Sequence, residues 1–345
     1  MRAPDRYIGS EIADGKYRIL QKIGQGGMGS VYKAAQTNVE RLVAIKILHA
    51  KLVTRKDIVS RFSREAKALA HLSHPNTVKV YDDGQLEDGS LYIVMEYLEG
   101  KNLNQIIRTQ GPMAPERALP VLIQVCGALG EAHSRGIIHR DLKPENIFLC
   151  NQGGLVDFAK VLDFGLAKVT EQEMRPGSIM LTQEGMIFGT PEFMSPEQAQ
   201  GKTLDPRSDL YSLAMILYEV LAGKLPFDGK TPMEFIQHQV MTQPIPLDQR
   251  VSGRTFPPGL SGVLEKATQK DPSARYQSAA DFAAALQAVL TGPPSAQLAP
   301  PSSKGAPPAV AMTKDRAVLL IVVVAVVFAI FGAAAVVGAY FLFAR

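Results

Sequence analysis

Cysteine is scarce in this chain, which has two cysteines among its 345 residues. Cys126 and Cys150 both lie in apolar stretches, so we expect two buried, reduced thiols, with a disulfide as the less favoured alternative. No group of cysteines and histidines has the spacing of a zinc site, and His133 is interpreted as a packed or solvent-exposed histidine. The sequence therefore argues against a disulfide-stabilised scaffold and against a zinc centre.

Excess charge and internal repeats are also missing, and we expect no signal peptide. The net charge is +4, from 37 basic and 33 acidic residues, which is too small to indicate a nucleic-acid partner. No repeat of solenoid period is present, and residues 1–10 lack the apolar core of a signal peptide. With 46% hydrophobic residues, we expect one large or two modest domains with a substantial core, plus appendages.

A dense group of polar residues stands between two apolar runs at residues 139–146. Asp141 can accept a proton, Lys143 can neutralise a phosphate, and Asn146 can hold a metal through its amide oxygen. A second carboxylate, Asp163, follows after another apolar run and precedes Phe-Gly. A base, a cation and two hard oxygen ligands are what phosphoryl transfer from a magnesium nucleotide requires. A charged surface turn is the alternative, and the full set at this spacing disfavours it.

These residues resemble the catalytic loop and the Asp-Phe-Gly element of eukaryotic-type protein kinases, in particular the bacterial transmembrane serine/threonine kinases. The resemblance covers residues 17–290 and implies ATP and Mg²⁺ as cofactors. It also implies an α+β, two-lobed protein kinase fold after an N-terminal extension (1–16). We expect a small β-rich N-lobe (17–95), a hinge (96–100) and a larger helical C-lobe (101–290).

A glycine-rich stretch at residues 24–31 follows an alternating, strand-like segment that begins at Tyr17. It leads into another strand rather than a helix, so a dinucleotide-binding turn is disfavoured and a lid over phosphates is favoured. The resemblance places the adenine against the backbone of the hinge, beside the residue that guards the back pocket, Met95. Each side chain assigned in this way could equally belong to an ordinary core. The nucleotide-binding residues implied are Ile23, Gly24, Gln25, Gly26, Gly27, Met28, Gly29, Ser30, Val31, Ala44, Lys46, Glu96, Leu98 and Phe148.

A lysine inside an apolar strand is the next unusual feature. Lys46 interrupts residues 42–48, and an unpaired buried ammonium is costly. An edge strand with Lys46 facing water is the alternative. The resemblance makes Lys46 a catalytic residue that contacts the α- and β-phosphates. Its implied partner is Glu65, in a segment with helical spacing at residues 56–71; Asp57 lies too early for that role.

Further elements are expected on either side of the catalytic loop. Strands are predicted at residues 78–81 and 91–95, joined by a turn-rich stretch, and helices at 114–134, 207–221 and 281–290. The resemblance implies that Asp209 is buried and anchors the catalytic-loop backbone.

The long stretch from residue 163 to 197 has weak periodicity, which is typical of a functional loop. The resemblance implies that Glu197 pairs with Arg275. It also implies that Thr190 bridges Asp141 and Lys143, which favours serine and threonine over tyrosine as acceptors.

Regulation is expected in the same stretch. Arg140 is a cation of the kind that orders phosphorylated loops. Thr182 is the first candidate for phosphorylation, with Thr170 and Ser178 behind it, and Glu184 could supply negative charge without modification. Plain loop hydroxyls are the alternative interpretation.

The composition changes after residue 290. Residues 291–316 are dominated by proline, alanine and serine and cannot form a core, so they are predicted to be a linker. Residues 317–343 are almost wholly apolar and exceed the roughly 20 residues that a membrane-spanning helix needs. Basic residues before this segment favour a single-pass protein of the cell membrane with its kinase domain in the cytoplasm. Small-residue spacing at Ala334 and Gly338 makes a homodimer possible.

The prediction is a membrane-tethered serine/threonine protein kinase that acts on protein substrates and also phosphorylates itself. A catalytically dead nucleotide-binding scaffold is one rival, and it should lack Lys46, Asp141, Asn146 or Asp163; none is missing. A membrane adaptor whose kinase activity is incidental is the other. Loss of function on Asp141→Asn would favour catalysis, whereas loss only on deletion of 317–345 would favour the adaptor.

Overall fold

The N-terminal part of the chain builds an antiparallel sheet. The computed structural model describes residues 5–26, 29–48, 62, 66–164 and 190–292. Six strands pair in the order β1-β2-β3-β4-β6-β5. Their bounds are β1 Glu11–Ile12, β2 Tyr17–Gln25, β3 Gly29–Gln36, β4 Arg41–Leu48, β5 Val80–Gln85 and β6 Leu91–Glu96.

Strand β4 shows how the two faces of this sheet differ. Side chains alternate between faces along a strand, and Val43, Ile45 and Ile47 pack into a small outer apolar cluster. Ala44 and Leu48 pack on the opposite face, in the main core. Lys46 alternates with the outward-facing residues in the same way as Ala44 and Leu48, so β4 directs this lysine toward the main body of the protein.

The described part of the predicted N-terminal extension, residues 5–16, packs on this sheet. Ile12 is buried in the outer cluster and pairs with Tyr17. The ring of Tyr7 meets the ring of Tyr32 edge-on, with centroids 5.7 Å apart. The Tyr32 hydroxyl donates to Asp5 at 3.0 Å. Residues 5–16 therefore cover an apolar sheet face that would otherwise contact water.

The rest of the described chain is mainly helical and is centred on the helix Pro206–Ala222, which is buried along most of its length. A three-stranded sheet, β7-β8-β9, precedes it. The bounds are β7 Gly100–Asn102, β8 Ile147–Gln152, β9 Leu155–Val161, α1 Leu103–Gln110, α2 Pro115–Ser134, α3 Pro196–Ala199, α4 Pro206–Ala222, α5 Pro232–Met241, α6 Leu247–Arg250, α7 Leu260–Ala267 and α8 Ala279–Thr291.

The predicted helices and most predicted strands are confirmed, with one shift. The strand predicted at 78–81 runs from Val80 to Gln85 instead, and the turn begins only after it. Polar residues are tolerated there because β5 is an edge strand, and Asp82 accepts hydrogen bonds from Lys16 and Tyr17. Of the segment predicted as helix at 56–71, Phe62 and residues 66–70 are described and are helical.

Both cysteines are buried free thiols, as predicted. Among the helices that the structure describes, none combines the length and the apolar character needed to cross a membrane. The linker and the apolar segment predicted from residue 291 lie outside the described residues, except for Thr291 and Gly292.

Candidate active site

Asp209 holds the backbone at the start of the catalytic loop. It lies in the first turn of α4 with 1% of its surface exposed. Its carboxylate accepts the backbone N–H of His139 at 2.8 Å and that of Arg140 at 3.0 Å. The expected anchoring role is therefore seen in the structure.

His133 completes this anchor. Its Nε2 lies 2.7 Å from Asp209 Oδ2, the oxygen that accepts the backbone N–H of His139. Burial raises the pKa of Asp209, but the hydrogen bond and charge of His133, together with the charge and backbone N–H of His139, hold that pKa below its usual range. Of the two predicted alternatives, His133 is thus packed rather than solvent-exposed. It also supports the loop, which its position in an apolar helix did not reveal.

The loop is tied to the Asp-Phe-Gly element by His139. This side chain is fully buried, and its Nε2 lies 2.8 Å from the carbonyl oxygen of Leu162. Its ring lies against Phe164, with centroids 4.9 Å apart. Because Leu162 and Phe164 flank Asp163, these contacts hold Asp163 beside the catalytic loop.

The three polar residues predicted within the loop converge. Lys143 Nζ donates to Asp141 Oδ2 at 2.6 Å, and both side chains are partly exposed. Asn146 Nδ2 donates to the backbone carbonyl of Asp141 at 2.8 Å. This bond orients the amide so that its nitrogen faces the loop, which leaves the amide oxygen as the end that can bind a metal.

Lys46 reaches across to Asp163. Its Nζ donates to Asp163 Oδ2 at 2.7 Å, and the two residues are 117 positions apart. Burial raises the pKa of Asp163, but the charge and hydrogen bond of Lys46, together with the charges of His139 and Lys143, lower it below its usual range. Asp163 is therefore held as a carboxylate, the form that binds a cation. The predicted partner of Lys46, Glu65, lies outside the described residues.

The glycine-rich stretch is a hairpin between β2 and β3, as predicted. The backbone N–H of Gly26 donates to the carbonyl of Gly29 at 2.9 Å. A Cβ atom added at Gly29 would lie 2.2 Å from the carbonyl oxygen of Ile47, so only glycine fits against β4 at this point. Gly27 and Met28 lie outside the described residues.

Other predicted nucleotide-site residues lie on the elements that border this hairpin. Ala44 is buried in the main cluster and Val31 packs partly buried against it. Ile23 is 45% exposed at the end of β2, whereas Phe148 lies on β8 opposite Asn102. Their contact with a nucleotide stays a prediction.

The hinge contains a buried ion pair that the sequence did not indicate. Lys160 Nζ lies 2.8 Å from Glu96 Oε1, and 6% of the lysine side chain is exposed. The same oxygen accepts the backbone N–H of Lys79 at 2.8 Å. Since Lys160 is on β9 and Glu96 ends β6, the pair ties the two sheets together where the nucleotide base is predicted to bind.

The end of the segment that begins at Asp163 is anchored in the helical core. Glu197 pairs with Arg275 through two bonds of 2.8 Å, as predicted. Gln198 Nε2 donates to the carbonyl of Arg140 at 2.8 Å, a contact that the sequence did not reveal. Gln198 therefore lies directly against the catalytic loop.

Thr190 does not form the expected bridge. Among the described residues, no hydrogen bond joins its side chain to Asp141 or Lys143. Lys143 and Asp141, which Thr190 was expected to bridge, are joined by a direct hydrogen bond instead. Thr182, Thr170, Ser178 and Glu184 lie outside the described residues.

Glu219 is an acid beside this loop that the sequence analysis missed. Burial raises its pKa to about 7, and the nearby charges of Glu145 and Glu192 add to the effect. Within the described part of the chain, the Oε2 atoms of Glu145 and Glu219 are buried without a hydrogen-bond partner. The charges of three acids, one each from helix α4, the catalytic loop and the turn at Pro191–Phe193, therefore influence one another.

Comparisons with known proteins agree with this geometry. Serine/threonine-protein kinase pkn3 of Myxococcus xanthus is 44% identical over 291 residues, which cover 84% of this chain and 53% of the relative. Serine/threonine-protein kinase PknB of Mycobacterium tuberculosis is 41% identical over 288 residues, which cover 83% of this chain and 44% of the relative. The chain thus spans about half the length of these curated relatives.

A solved structure shows the same fold. The crystal structure of the M. tuberculosis PknI kinase domain superposes with a TM-score of 0.63 at 28% identity, covering 82% of this chain and 98% of the other. This likeness confirms the predicted arrangement of a β-rich N-lobe and a helical C-lobe. The sequence profile of the protein kinase domain matches residues 17–287. The chain belongs to the protein kinase family.

Proposed function

We propose that this chain is a serine/threonine protein kinase, which transfers the γ-phosphoryl group of ATP to hydroxyl groups of proteins. The observation that carries the proposal is the convergence of Lys46 with Asp163 and of Lys143 and Asn146 with Asp141. ATP and Mg²⁺ are the substrate and cofactor of the protein kinase family. The names of the relatives support serine and threonine as acceptors.

The residues present suit magnesium. This ion takes few protein ligands, usually one or two oxygens, and completes its shell with phosphates and water. Asp163, kept ionised by Lys46, and Asn146 through its amide oxygen would hold it. When bound, Mg²⁺ neutralises the charge that develops on the phosphate oxygens.

The side chains then divide the remaining work. Lys46 orients the phosphates, and the glycine-rich hairpin covers them. Asp141 accepts a hydrogen bond from the acceptor hydroxyl and takes its proton as the new oxygen–phosphorus bond forms and the bond to the ADP oxygen breaks. Lys143 neutralises charge on the group in transfer. Glu65 is proposed to hold Lys46 toward the phosphates when the nucleotide is bound.

Identification of the phosphorylated residue tests this proposal. The purified full chain, incubated with γ-labelled ATP, Mg²⁺ and myelin basic protein, should place label on serine and threonine of both proteins. Label on tyrosine alone would contradict the choice of acceptor, and a chain that binds ATP without transferring label would support the scaffold alternative.

The apolar segment is proposed to hold the kinase domain at the cytoplasmic face of the cell membrane. Support comes from its 27 residues (317–343) without a charge and from Lys314 and Arg316 before it. The expected result is that the full chain floats with lipid vesicles, whereas a chain ending at residue 312 stays in the soluble fraction with the same specific activity. Equal flotation of both forms would contradict this anchor.

Regulation through the segment before Thr190 remains part of the proposal. Thr182 is the candidate phosphorylation site, and Arg140, which follows His139 with a left-handed φ of 69°, lies where a phosphate could meet the catalytic loop. Small residues such as Ala334 and Gly338 in the apolar segment support self-association as an additional route.

A further inference from the structure

Gln239 is a buried glutamine on α5 whose amide is fully used. None of its surface is exposed. Its Nε2 donates to two backbone carbonyls, that of Pro191 at 3.1 Å and that of Glu192 at 2.7 Å. A primary amide has two N–H donors, so both donors of Gln239 are bonded to backbone carbonyls of consecutive residues in one short turn. A buried amide is tolerated only when it is satisfied in this way.

The orientation of this amide is enforced from its other side. Tyr211, which is fully buried on α4, donates its hydroxyl proton to Gln239 Oε1 at 2.7 Å. Lys270 Nζ lies 3.1 Å from the same hydroxyl oxygen. A lysine ammonium can only donate, so Tyr211 must direct its own proton to Gln239, and Nε2 must face the turn. The turn at Pro191–Glu192, Tyr211 and Lys270 thus fix the orientation of the Gln239 amide.

The turn that Gln239 holds belongs to a segment that contacts the catalytic loop. Glu192 is close enough to Glu219 to influence its ionisation, and so is Glu145 of the catalytic loop. Six residues after Glu192, Gln198 holds the carbonyl of Arg140, the residue before Asp141. The backbone at Pro191–Phe193 is therefore tied to α5, and the segment that continues from it is bound to the catalytic loop through Gln198.

We propose that Gln239 is a positioning residue for the acceptor protein, which it serves by holding the Pro191–Glu192 backbone as a fixed platform in the segment that contacts the catalytic loop through Gln198. This inference rests on the proposed kinase function. Gln239 acts through the turn and does not touch ATP, whose predicted site is built from β2, β3, β4 and the hinge. Its loss should therefore weaken use of the acceptor and spare use of the nucleotide.

The test compares Gln239→Leu with Gln237→Leu, which removes an exposed glutamine from the same helix. Steady-state kinetics of the full chain with myelin basic protein and ATP give both KM values, and ATP hydrolysis without acceptor is measured in parallel. Two neutral hydrogen bonds of about 1 kcal/mol each predict roughly a tenfold to thirtyfold rise in the KM for the protein. The KM for ATP and the hydrolysis rate should stay within about twofold, and Gln237→Leu should match the wild type.

A milder variant and a second readout complete the design. Tyr211→Phe keeps the ring and removes only the hydroxyl that orients Gln239, so it should raise the protein KM about threefold. Backbone hydrogen exchange of residues 190–195 should be faster in both variants, whether or not the chain is active. Unchanged protein KM with unchanged exchange, or equal losses for ATP and protein, would overturn the assignment. Absence of transfer by the wild type would instead refute the kinase proposal.

Discussion

Asp141→Asn should reduce phosphoryl transfer to protein by about a thousandfold, because general-base assistance contributes roughly 10²–10⁴ to such steps. The variant keeps the size of the side chain but removes the carboxylate that pairs with Lys143 at 2.6 Å. The bond from Asn146 should survive, since it goes to the backbone carbonyl of Asp141. Binding of ATP with Mg²⁺ is therefore expected to stay within about twofold of the wild type.

The matched control for this variant is Asp248→Asn, which makes the same chemical change at an exposed site in α6. Transfer is measured by label incorporation, and ATP binding is measured by calorimetry. If Asp141→Asn retained more than about a tenth of wild-type transfer, Asp141 would not be the base. If ATP binding fell together with transfer, the loop would have lost its shape, and the role assigned to the carboxylate would be unsupported.

The largest expected effect on stability comes from Arg275→Met. The Arg275 guanidinium has no exposed side-chain surface, and its five N–H donors are all used. Two bonds go to the carboxylate of Glu197, at 2.8 Å each. The others go to the carbonyls of Gln269, Arg207 and Lys270, at 2.7, 3.1 and 3.0 Å. Removing one partner of a buried ion pair leaves an uncompensated charge, so we expect a loss of about 3–5 kcal/mol in the free energy of unfolding.

The double variant Arg275→Met with Glu197→Gln should lose less than the sum of the two single losses, because neither charge is then left alone. Arg135→Met is the control, since Arg135 forms an exposed pair with Glu131 at 3.1 Å and should cost less than about 1 kcal/mol. Urea unfolding monitored by circular dichroism gives the values. A loss below about 1 kcal/mol for Arg275→Met would contradict the account of this pair.

The pair also predicts a pH dependence. Burial raises the pKa of Glu197, but hydrogen bonds from Arg275 and Ser208 and the charge of Arg275 lower it below its usual value. A carboxyl whose folded pKa is depressed stabilises the fold above its unfolded pKa, and this contribution disappears as the pH falls through the folded pKa. The stability difference between wild type and Arg275→Met should therefore be full at neutral pH and shrink below about pH 4.5.

The residues of the catalytic centre were predictable because most of them lie close together in the sequence. Asp141, Lys143 and Asn146 stand within six positions, and a lysine inside an apolar strand signals a distant partner. That partner in the structure is Asp163, which was identified as a metal ligand rather than as the contact of Lys46.

The supporting residues were not predictable for physical reasons. Gln198 and Gln239 look like solvent-exposed positions of helices, since nothing local distinguishes a glutamine that satisfies a distant carbonyl from one that faces water. Lys160 alternates with apolar residues as any edge-strand lysine does, and its partner is 64 residues away. The packing of residues 5–16 could not be predicted locally, because it depends on the apolar outer face of a sheet that later strands form.

The central claim is that these side chains converge around a magnesium-bound triphosphate and act on a protein hydroxyl. The most direct measurement is label transfer from γ-labelled ATP to myelin basic protein by the purified wild-type chain, with and without Mg²⁺, beside Asp163→Asn. The account predicts transfer to serine and threonine that requires Mg²⁺ and is abolished by Asp163→Asn. Transfer that proceeds equally well without a divalent cation, or that survives Asp163→Asn, would contradict it.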